Sequence, residues 1–421
     1  MRLSLVGVNH QTAPITIREK VAISAEKLCD FLSLLRSYIP QGVILSTCNR
    51  TEIYVIDSDG CNAEKASLVF LNEQMNVSGA DLLRYVYVSK DREATEHLFR
   101  VASGLESMIV GEFEVLGQVR QALEVAEKAG MVTLPLRHAF YSAVRTGRRV
   151  REETGISKNA ISVSSVAVDL AADIVGDLTR CKMLVIGAGE AGRLVVEVAR
   201  KRGISQMVIA SRTKERAQAL ATELHGTPID LSNLSDELRS VDIVVACAGA
   251  PHWILNVSHM EEVMRKRSGL PLVLVDIALP RNVEPEVGRI RNVFLYNMDD
   301  LNDISNLNRK QREAEVSHAE EIITSEVDKF VTWLQDFEVR PIVSALMSKA
   351  EKIRSIKLNK TLKKLRPLSD DERDSLEAMT KSIVTRILKD PVEYLKADGN
   401  SNHSQMVREL FQLNTDEHSK G

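Results

Sequence analysis

Long apolar runs are missing from this chain of 421 residues. No stretch approaches the roughly 20 consecutive apolar residues that a bilayer span requires. The opening "MRLSLVGVNHQTAP" also lacks a positive n-region followed by an apolar h-region, so neither a membrane contact nor export is expected, and the cytoplasm is the expected location. Cysteine is scarce. The five thiols, Cys29, Cys48, Cys61, Cys181 and Cys247, are odd in number and scattered, with no CxxC or Cys/His pairing at zinc spacing. That excludes a disulfide framework and gives no support to a metal site. An excess of one charge is absent as well: 55 basic against 58 acidic residues leave a net charge of −3, so any nucleic-acid contact must come from local patches. No internal repeat is visible.

What is present is a soluble globular composition, 44% apolar and 27% charged, in a chain too long for one ordinary core. From residue 1 to 156, short β-branched runs ("LSLVGV", "GVILS", "TEIYVI", "LLRYVYV") alternate with longer helical stretches, the texture of an α+β domain. The arginine-rich "RHAFYSAVRTGRRVREETGI" closes it, and a boundary is expected at the loop Ser157 to Asn159. Val163, Val166, Ala167, Leu170 and Ile174 then recur at helical spacing and lead into "KMLVIGAGEAGRLVVEVARKRG", a strand, a glycine turn and a helix. Further runs at "QMVIAS", "VDIVVACAG", "LVLVDIA" and "NVFLYN" predict a parallel, doubly wound α/β sheet over about Arg180 to Asn297, in a domain of residues 157–298. Beyond Asp300 a stripe of Val316, Ala319, Ile323, Val327, Phe330 and Leu334 runs without Gly or Pro as far as Arg340. This predicts a long structural helix, followed from Pro341 by more charged helix, in an all-α region 299–421. "ADGNSNHSQ" and the tail "TDEHSKG" are expected to be weakly ordered.

Two features carry chemistry. Gly187, Gly189 and Gly192 fit G-x-G-x-x-G in the context the motif needs. The first glycine permits the tight turn, the second lets backbone approach a pyrophosphate, and the third allows close helix–strand contact, with Ala188, Glu190 and Ala191 completing the cradle at a helix N-terminus. At the end of the next strand, "ASRTKER" places Ser211 and Arg212 where a carboxylate would otherwise meet a ribose hydroxyl. Those two groups can hold a 2′-phosphate, which favours NADPH, while Lys214 and Arg216 are read as solvated residues opening a helix. The second feature is "STCNRTEIY". Cys48 can be an inert buried filler, as most lone cysteines are. A thiol in a polar turn near Arg50 and free backbone amides can equally have a lowered pKa and act as a nucleophile, with Glu52 opposing if it points the same way. A nucleophilic thiol and a nicotinamide domain in one chain suggest reduction of an acyl group to an aldehyde through a thioester.

Taken together, "GVNHQTAPITIREK", "STCNRTEIY", "HLFRVASGLESMIVGE" with "LGQV", "GAGEAGRL", "DIALPRNVEP" and "LYNMDDL" make the chain resemble the glutamyl-tRNA reductases over nearly its whole length. The resemblance implies that Cys48 attacks the aminoacyl ester of glutamyl-tRNA(Glu), releases the tRNA and holds glutamate as a thioester that NADPH reduces to glutamate-1-semialdehyde. It further implies substrate contacts at Thr47, Asn49, Arg50, Ser107, Glu112, Phe113, Glu114 and Gln118, with Arg50 as a bidentate partner for a substrate carboxylate. Phe113 and Glu114 depart from the family's Pro-Gln, so Glu114 is read either as a partner for an ammonium group, if it faces the pocket, or as a solvated surface carboxylate, the latter being favoured. His97 matches a histidine associated with activity. It either assists proton transfer or makes a local hydrogen bond on a helix whose apolar face is Leu98, Val101, Ala102 and Leu105.

The same resemblance implies three domains along a spinal helix, a homodimer joined through the C-terminal helices, and an aminomutase as a recipient of the aldehyde. Arg145, Arg148, Arg149, Arg151 and the run Lys352 to Arg366 are candidate tRNA phosphate contacts, the run being favoured as an exposed face instead. Two other readings remain open: an NADP-dependent cysteine semialdehyde dehydrogenase with a small-molecule acyl donor, and a non-catalytic RNA-binding regulator.

Overall fold

In the computed structural model, which describes residues 1–57, 63–74, 84–112, 114–156, 162–267, 269–301, 313–365, 368–398 and 401–413, the β-branched runs of the N-terminal region form one antiparallel sheet. Its strands β1 (Arg2–Asn9), β2 (Val43–Ser46), β3 (Arg50–Asp57) and β4 (Tyr87–Lys90) lie in the order β2-β3-β1-β4. β1 is central and buried from Leu3 to Asn9, which is why "LSLVGV" reads as a continuous apolar run and not as an alternating one. The helix Asp91–Ser103 packs on β1 and on the arginine-rich helix Leu134–Glu153. Leu98, Val101, Ala102 and Leu105 are buried as their spacing predicts. The expected boundary at Ser157 to Asn159 and the residue Phe113 lie outside the described residues.

The second sheet is parallel throughout, with β5 (Lys182–Ile186), β6 (Gln206–Ser211), β7 (Thr227–Asp230), β8 (Ile243–Ala246), β9 (Leu272–Asp276) and β10 (Val293–Asn297) in the order β10-β9-β8-β5-β6-β7. This is the doubly wound arrangement read from the sequence. Met183 and Val185 enter one apolar cluster and Leu184 and Ile186 the other, as the two-residue period of a strand covered on both faces requires. The chain order reverses at β5, so a crevice opens beyond the ends of β5 and β8, the general ligand position in such sheets.

The chain divides into two compact units, Arg2–Val327 and Asp328–Gly421, the latter with Met1. Within the first, the N-terminal region shares a core with the parallel sheet: Ile15 of a short helix and the loop residues Met108 and Ile109 join the cluster formed by β5, β6, β8 and β9. The helix Glu313–Leu362 is longer than predicted because it continues through Pro341. A proline removes one helical hydrogen bond and crowds the preceding turn. Here the second unit's core holds both sides of it, with Val339 and Ile342 buried against Leu395 and Val407. The helices Asp370–Asp398 and Ser401–Leu410 complete that unit. No described helix is long and apolar enough to cross a membrane.

Candidate active site

β2 and β3 pair with Ser46 opposite Thr51, and Cys48 lies on the turn that joins them. The turn is held by backbone. Thr47 N–H donates to the Arg50 carbonyl (2.8 Å), Asn49 N–H to Thr47 Oγ1 (3.1 Å), and His10 N–H to the Asn49 carbonyl (2.9 Å). The Asn49 side chain is buried, and its Oδ1 has no hydrogen-bond partner among the described residues. Cys48 itself is partly buried and packs against the cluster built mainly by the parallel sheet, to which Ala188 of the glycine turn also contributes.

The electrostatics of the thiol differ from the expectation. Burial pushes its pKa up to about 12, and the carboxylates of Glu112 and Glu114 act in the same direction. The opposing cation is Arg18, not Arg50. Arg50 is buried and turned into the domain, its Nη1 2.6 Å from Glu52 Oε1 and its Nη2 donating to the Glu106 carbonyl. The expectation of a lowered thiol pKa is therefore corrected. Alternation along β3 sends Arg50 and Glu52 to the same side of the sheet, where their ion pair satisfies both charges. Arg50 is accordingly the partner of Glu52, not a free fork awaiting a carboxylate.

Glu52, fully buried, accepts from Tyr54 (2.6 Å) and Tyr87 (2.5 Å) and lies 2.9 Å from His97 Nε2. Burial alone would raise its pKa, but Arg50, His97 and the Tyr54 hydroxyl outweigh this and hold the carboxyl well below the usual range. His97 is thus fixed by a carboxylate, the arrangement that sets an imidazole's orientation.

Ser107, Glu112 and Glu114 do come together near the thiol. Glu112 is 7% exposed and bonded by the Ser107 side chain; burial, then the Glu114 charge, lift its pKa to about 7. Glu114 is raised too, first by burial and then by Glu190 of the cofactor turn. The reading of Glu114 as a solvated surface carboxylate is corrected: at the start of helix Glu114–Lys128 it is half-buried and close enough to Glu190 for the two charges to oppose each other. Gln118, one turn later, is half-buried on the same helical face.

At the glycine turn, Gly187 has φ +127° and donates to the Ala210 carbonyl (2.8 Å). A side chain at Gly192 would overlap the Gly187 carbonyl, whereas Gly189 has open space around it at the N-terminus of helix Glu190–Lys201. Such a cradle fits a pyrophosphate, with Ala188 and Ala191 half-buried beside it. Ser211 ends β6 and Arg212 is exposed beside it.

Comparison with known proteins decides the family. The family model for the N-terminal domain of glutamyl-tRNAGlu reductase matches residues 6–154, that for shikimate / quinate 5-dehydrogenase residues 169–304, and that for the glutamyl-tRNAGlu reductase dimerisation domain residues 318–413. The glutamyl-tRNA reductase of Natranaerobius thermophilus is 36% identical over 421 residues, covering 98% of this chain and 92% of that protein. The chain belongs to the glutamyl-tRNA reductase family. The glutamyl-tRNA reductase of Carboxydothermus hydrogenoformans is 39% identical over 414 residues, covering 98% of this chain and 92% of its own length. The solved glutamyl-tRNA reductase of Methanopyrus kandleri is 32% identical, with a TM-score of 0.51, covering 98% of this chain and 99% of that one.

Several charged residues of this family member have partners that the sequence did not disclose. Arg151 is turned inward, donating to the carbonyls of Ala102 (2.9 Å), Gly147 (2.8 Å) and Glu112 (2.9 Å), so it is not available as a phosphate contact. Arg145 and Arg149 pair with Glu326 of the long helix, and Arg148 stays exposed. In the Lys352 to Arg366 run, Lys352, Lys357, Lys360, Lys363 and Lys364 are exposed and Arg354 is buried against Glu351; Arg366 lies outside the described residues. Arg18, Glu19, Arg281 and Asp299 have no role that spacing alone would signal, although all four lie in the motifs that carry the resemblance to the family.

Proposed function

We propose that this chain reduces glutamyl-tRNA(Glu) to glutamate-1-semialdehyde, with release of the tRNA, through a thioester on Cys48. Membership of the family supports the overall reaction. The observation that carries the residue assignment is the position of Cys48, on a hairpin turn packed against the apolar cluster that also underlies the glycine turn. In the first step the sulfur bonds to the ester carbonyl carbon, the bond from that carbon to the ribose oxygen breaks, and the thiol proton passes to the departing hydroxyl. Glu112, held near neutrality, is our candidate to relay that proton. The glycine turn of Gly187, Gly189 and Gly192 would hold a nicotinamide cofactor, which would supply the hydride for the thioester carbonyl; the Cys48 sulfur would then leave as thiolate and regain a proton.

Thr47, Asn49, Ser107, Glu114 and Gln118 are assigned to the pocket around the acyl group, and His97, fixed by Glu52, to ordering it. NADPH is preferred to NADH because Ser211 at the end of β6 and Arg212 just after it stand where a carboxylate would repel a 2′-phosphate. The domain limits 1–156, 157–298 and 299–421, a homodimer through the C-terminal helices, and transfer of the aldehyde to an aminomutase complete the reading.

The test is direct. Cys48→Ser should lower semialdehyde formation from glutamyl-tRNA and NADPH by about a thousandfold or more while NADPH still binds. Aldehyde production at the unaltered rate in that variant would remove the thioester.

A further inference from the structure

Three of the family motifs contain residues for which the chemistry gives no reason. "GVNHQTAPITIREK" supplies Arg18 and Glu19, "DIALPRNVEP" supplies Arg281, and "LYNMDDL" supplies Asp299. In the structure they meet. The helix Ile15–Val21 presents two successive charges of opposite sign to the parallel-sheet region: Glu19 accepts from the backbone N–H, Nε and Nη2 of Arg281 (2.7, 2.8 and 2.9 Å), and Arg18 Nη2 donates to Asp299, which follows β10. Asp299 also accepts the Ile15 N–H (3.2 Å), one of the free amides at that helix's start.

Arg18 reaches further than Glu19. It is 1% exposed, its Nε donates to the Ala13 carbonyl (3.2 Å), and its Nη1 donates to the carbonyl of Cys48 itself (3.0 Å). A guanidinium is a rigid planar fork, so a bond on one Nη fixes the direction of the other. Two groups from different domains are therefore held in one plane.

We propose that Arg18 is a positioning residue that registers the nucleophile turn against the cofactor-binding domain, one arm on the Cys48 carbonyl and the other on Asp299. The proposal rests on the reading of Cys48 as the nucleophile. It gives docking of the cofactor domain a direct effect on the turn: with Asp299 in place, Arg18 is fully paired and the Cys48 carbonyl is pinned. When Asp299 is displaced, a buried cation loses its counter-charge, an arrangement that proteins relax by local opening.

Hydrogen exchange on the full-length chain, without substrate or cofactor, tests this apart from any catalysis. Asp299→Asn keeps an oxygen for the Ile15 N–H and removes the charge. Exchange at the Thr47 and Asn49 amides should quicken by about fivefold or more, with the amides of β6 unchanged as a control for the fold. Arg18→Lys, which keeps the charge but reaches one acceptor at a time, should do the same. Glu19→Gln, which loosens only the Arg281 contact, should leave the turn within about twofold of the parent. Unchanged exchange at the turn in both Asp299→Asn and Arg18→Lys, or an equal effect from Glu19→Gln, overturns the proposal.

In turnover, the share of ester-derived glutamate released as the free acid instead of the aldehyde should rise by about fivefold or more in Asp299→Asn, with KM for glutamyl-tRNA unchanged. An unaltered share, or a matching rise in KM, counts against it. The exchange result stands whether or not the Cys48→Ser variant behaves as proposed, so the two readings fail separately.

Discussion

At Cys48 the local sequence and the folded surroundings act in opposite directions. Read along the chain, Arg50 is the nearest cation; in the fold, it belongs to Glu52, and burial, joined by two carboxylates that are distant in sequence, Glu112 and Glu114, raises the thiol to about 12. The thiol of the free chain is consequently protonated near neutrality, and its reactivity should respond to the charge of Glu112. That carboxyl, lifted to about 7, is mostly neutral at pH 6 and mostly ionised at pH 8. Its ionisation opposes that of the sulfur, so neutralising it should lower the thiol pKa only in the higher range. Glu112→Gln should therefore be alkylated at Cys48 by iodoacetamide about three- to tenfold faster than the parent at pH 8 and at a similar rate at pH 6. Peptide mapping by mass spectrometry reads the site. Equal rates at pH 8 would show that Glu112 does not act on the sulfur.

Among the elements, the glycine turn separates two roles that one motif joins. Gly192 is small because the Gly187 carbonyl occupies the place of a Cβ, whereas nothing surrounds Gly189. Gly192→Ala should destabilise the chain by about 1–3 kcal/mol, visible as a lower thermal midpoint even without cofactor. Gly189→Ala should leave the midpoint nearly unchanged and weaken NADPH binding by about tenfold or more, because its methyl enters the space for the pyrophosphate. If calorimetric titration gave the parent affinity for Gly189→Ala, the pyrophosphate would have to lie elsewhere. The long helix shows the opposite balance of local and tertiary terms. Pro341 signals a break, yet Glu313–Leu362 runs through it because the apolar contacts of Val339 and Ile342 outweigh one missing hydrogen bond.

For the whole molecule, the C-terminal unit leaves a stripe of large apolar side chains in solvent, among them Ile353 (53% exposed), Met379 (51%), Ile383 (50%) and Ile387 (66%). Such a contiguous face on two helices is what a homodimer would cover. The proposed assembly predicts that the parent sediments as a dimer and that Ile383→Glu combined with Ile387→Glu sediments as a monomer at micromolar concentration, with the N-terminal unit still folded. A dimer that survives both charges would place the interface on another surface.

By itself the sequence determined the elements and their class. Period-2 and period-3.6 patterning, the glycine spacing and the buried runs of β5, β6, β8 and β9 follow from local sterics and burial, which neighbouring residues already encode, whereas the half-exposed β7 has no such run. It also marked Cys48, because an unusual residue in a polar turn is a local fact. Only the tertiary structure decided which charges meet. Arg18 lies 30 positions from Cys48 and 281 from Asp299, and Glu112 and Glu114, more than sixty positions from the thiol, act on it only once the N-terminal region has folded. Coulombic interaction and desolvation depend on distance in space and on excluded water. Neither is a property of adjacent residues, so both stay hidden until the chain is folded.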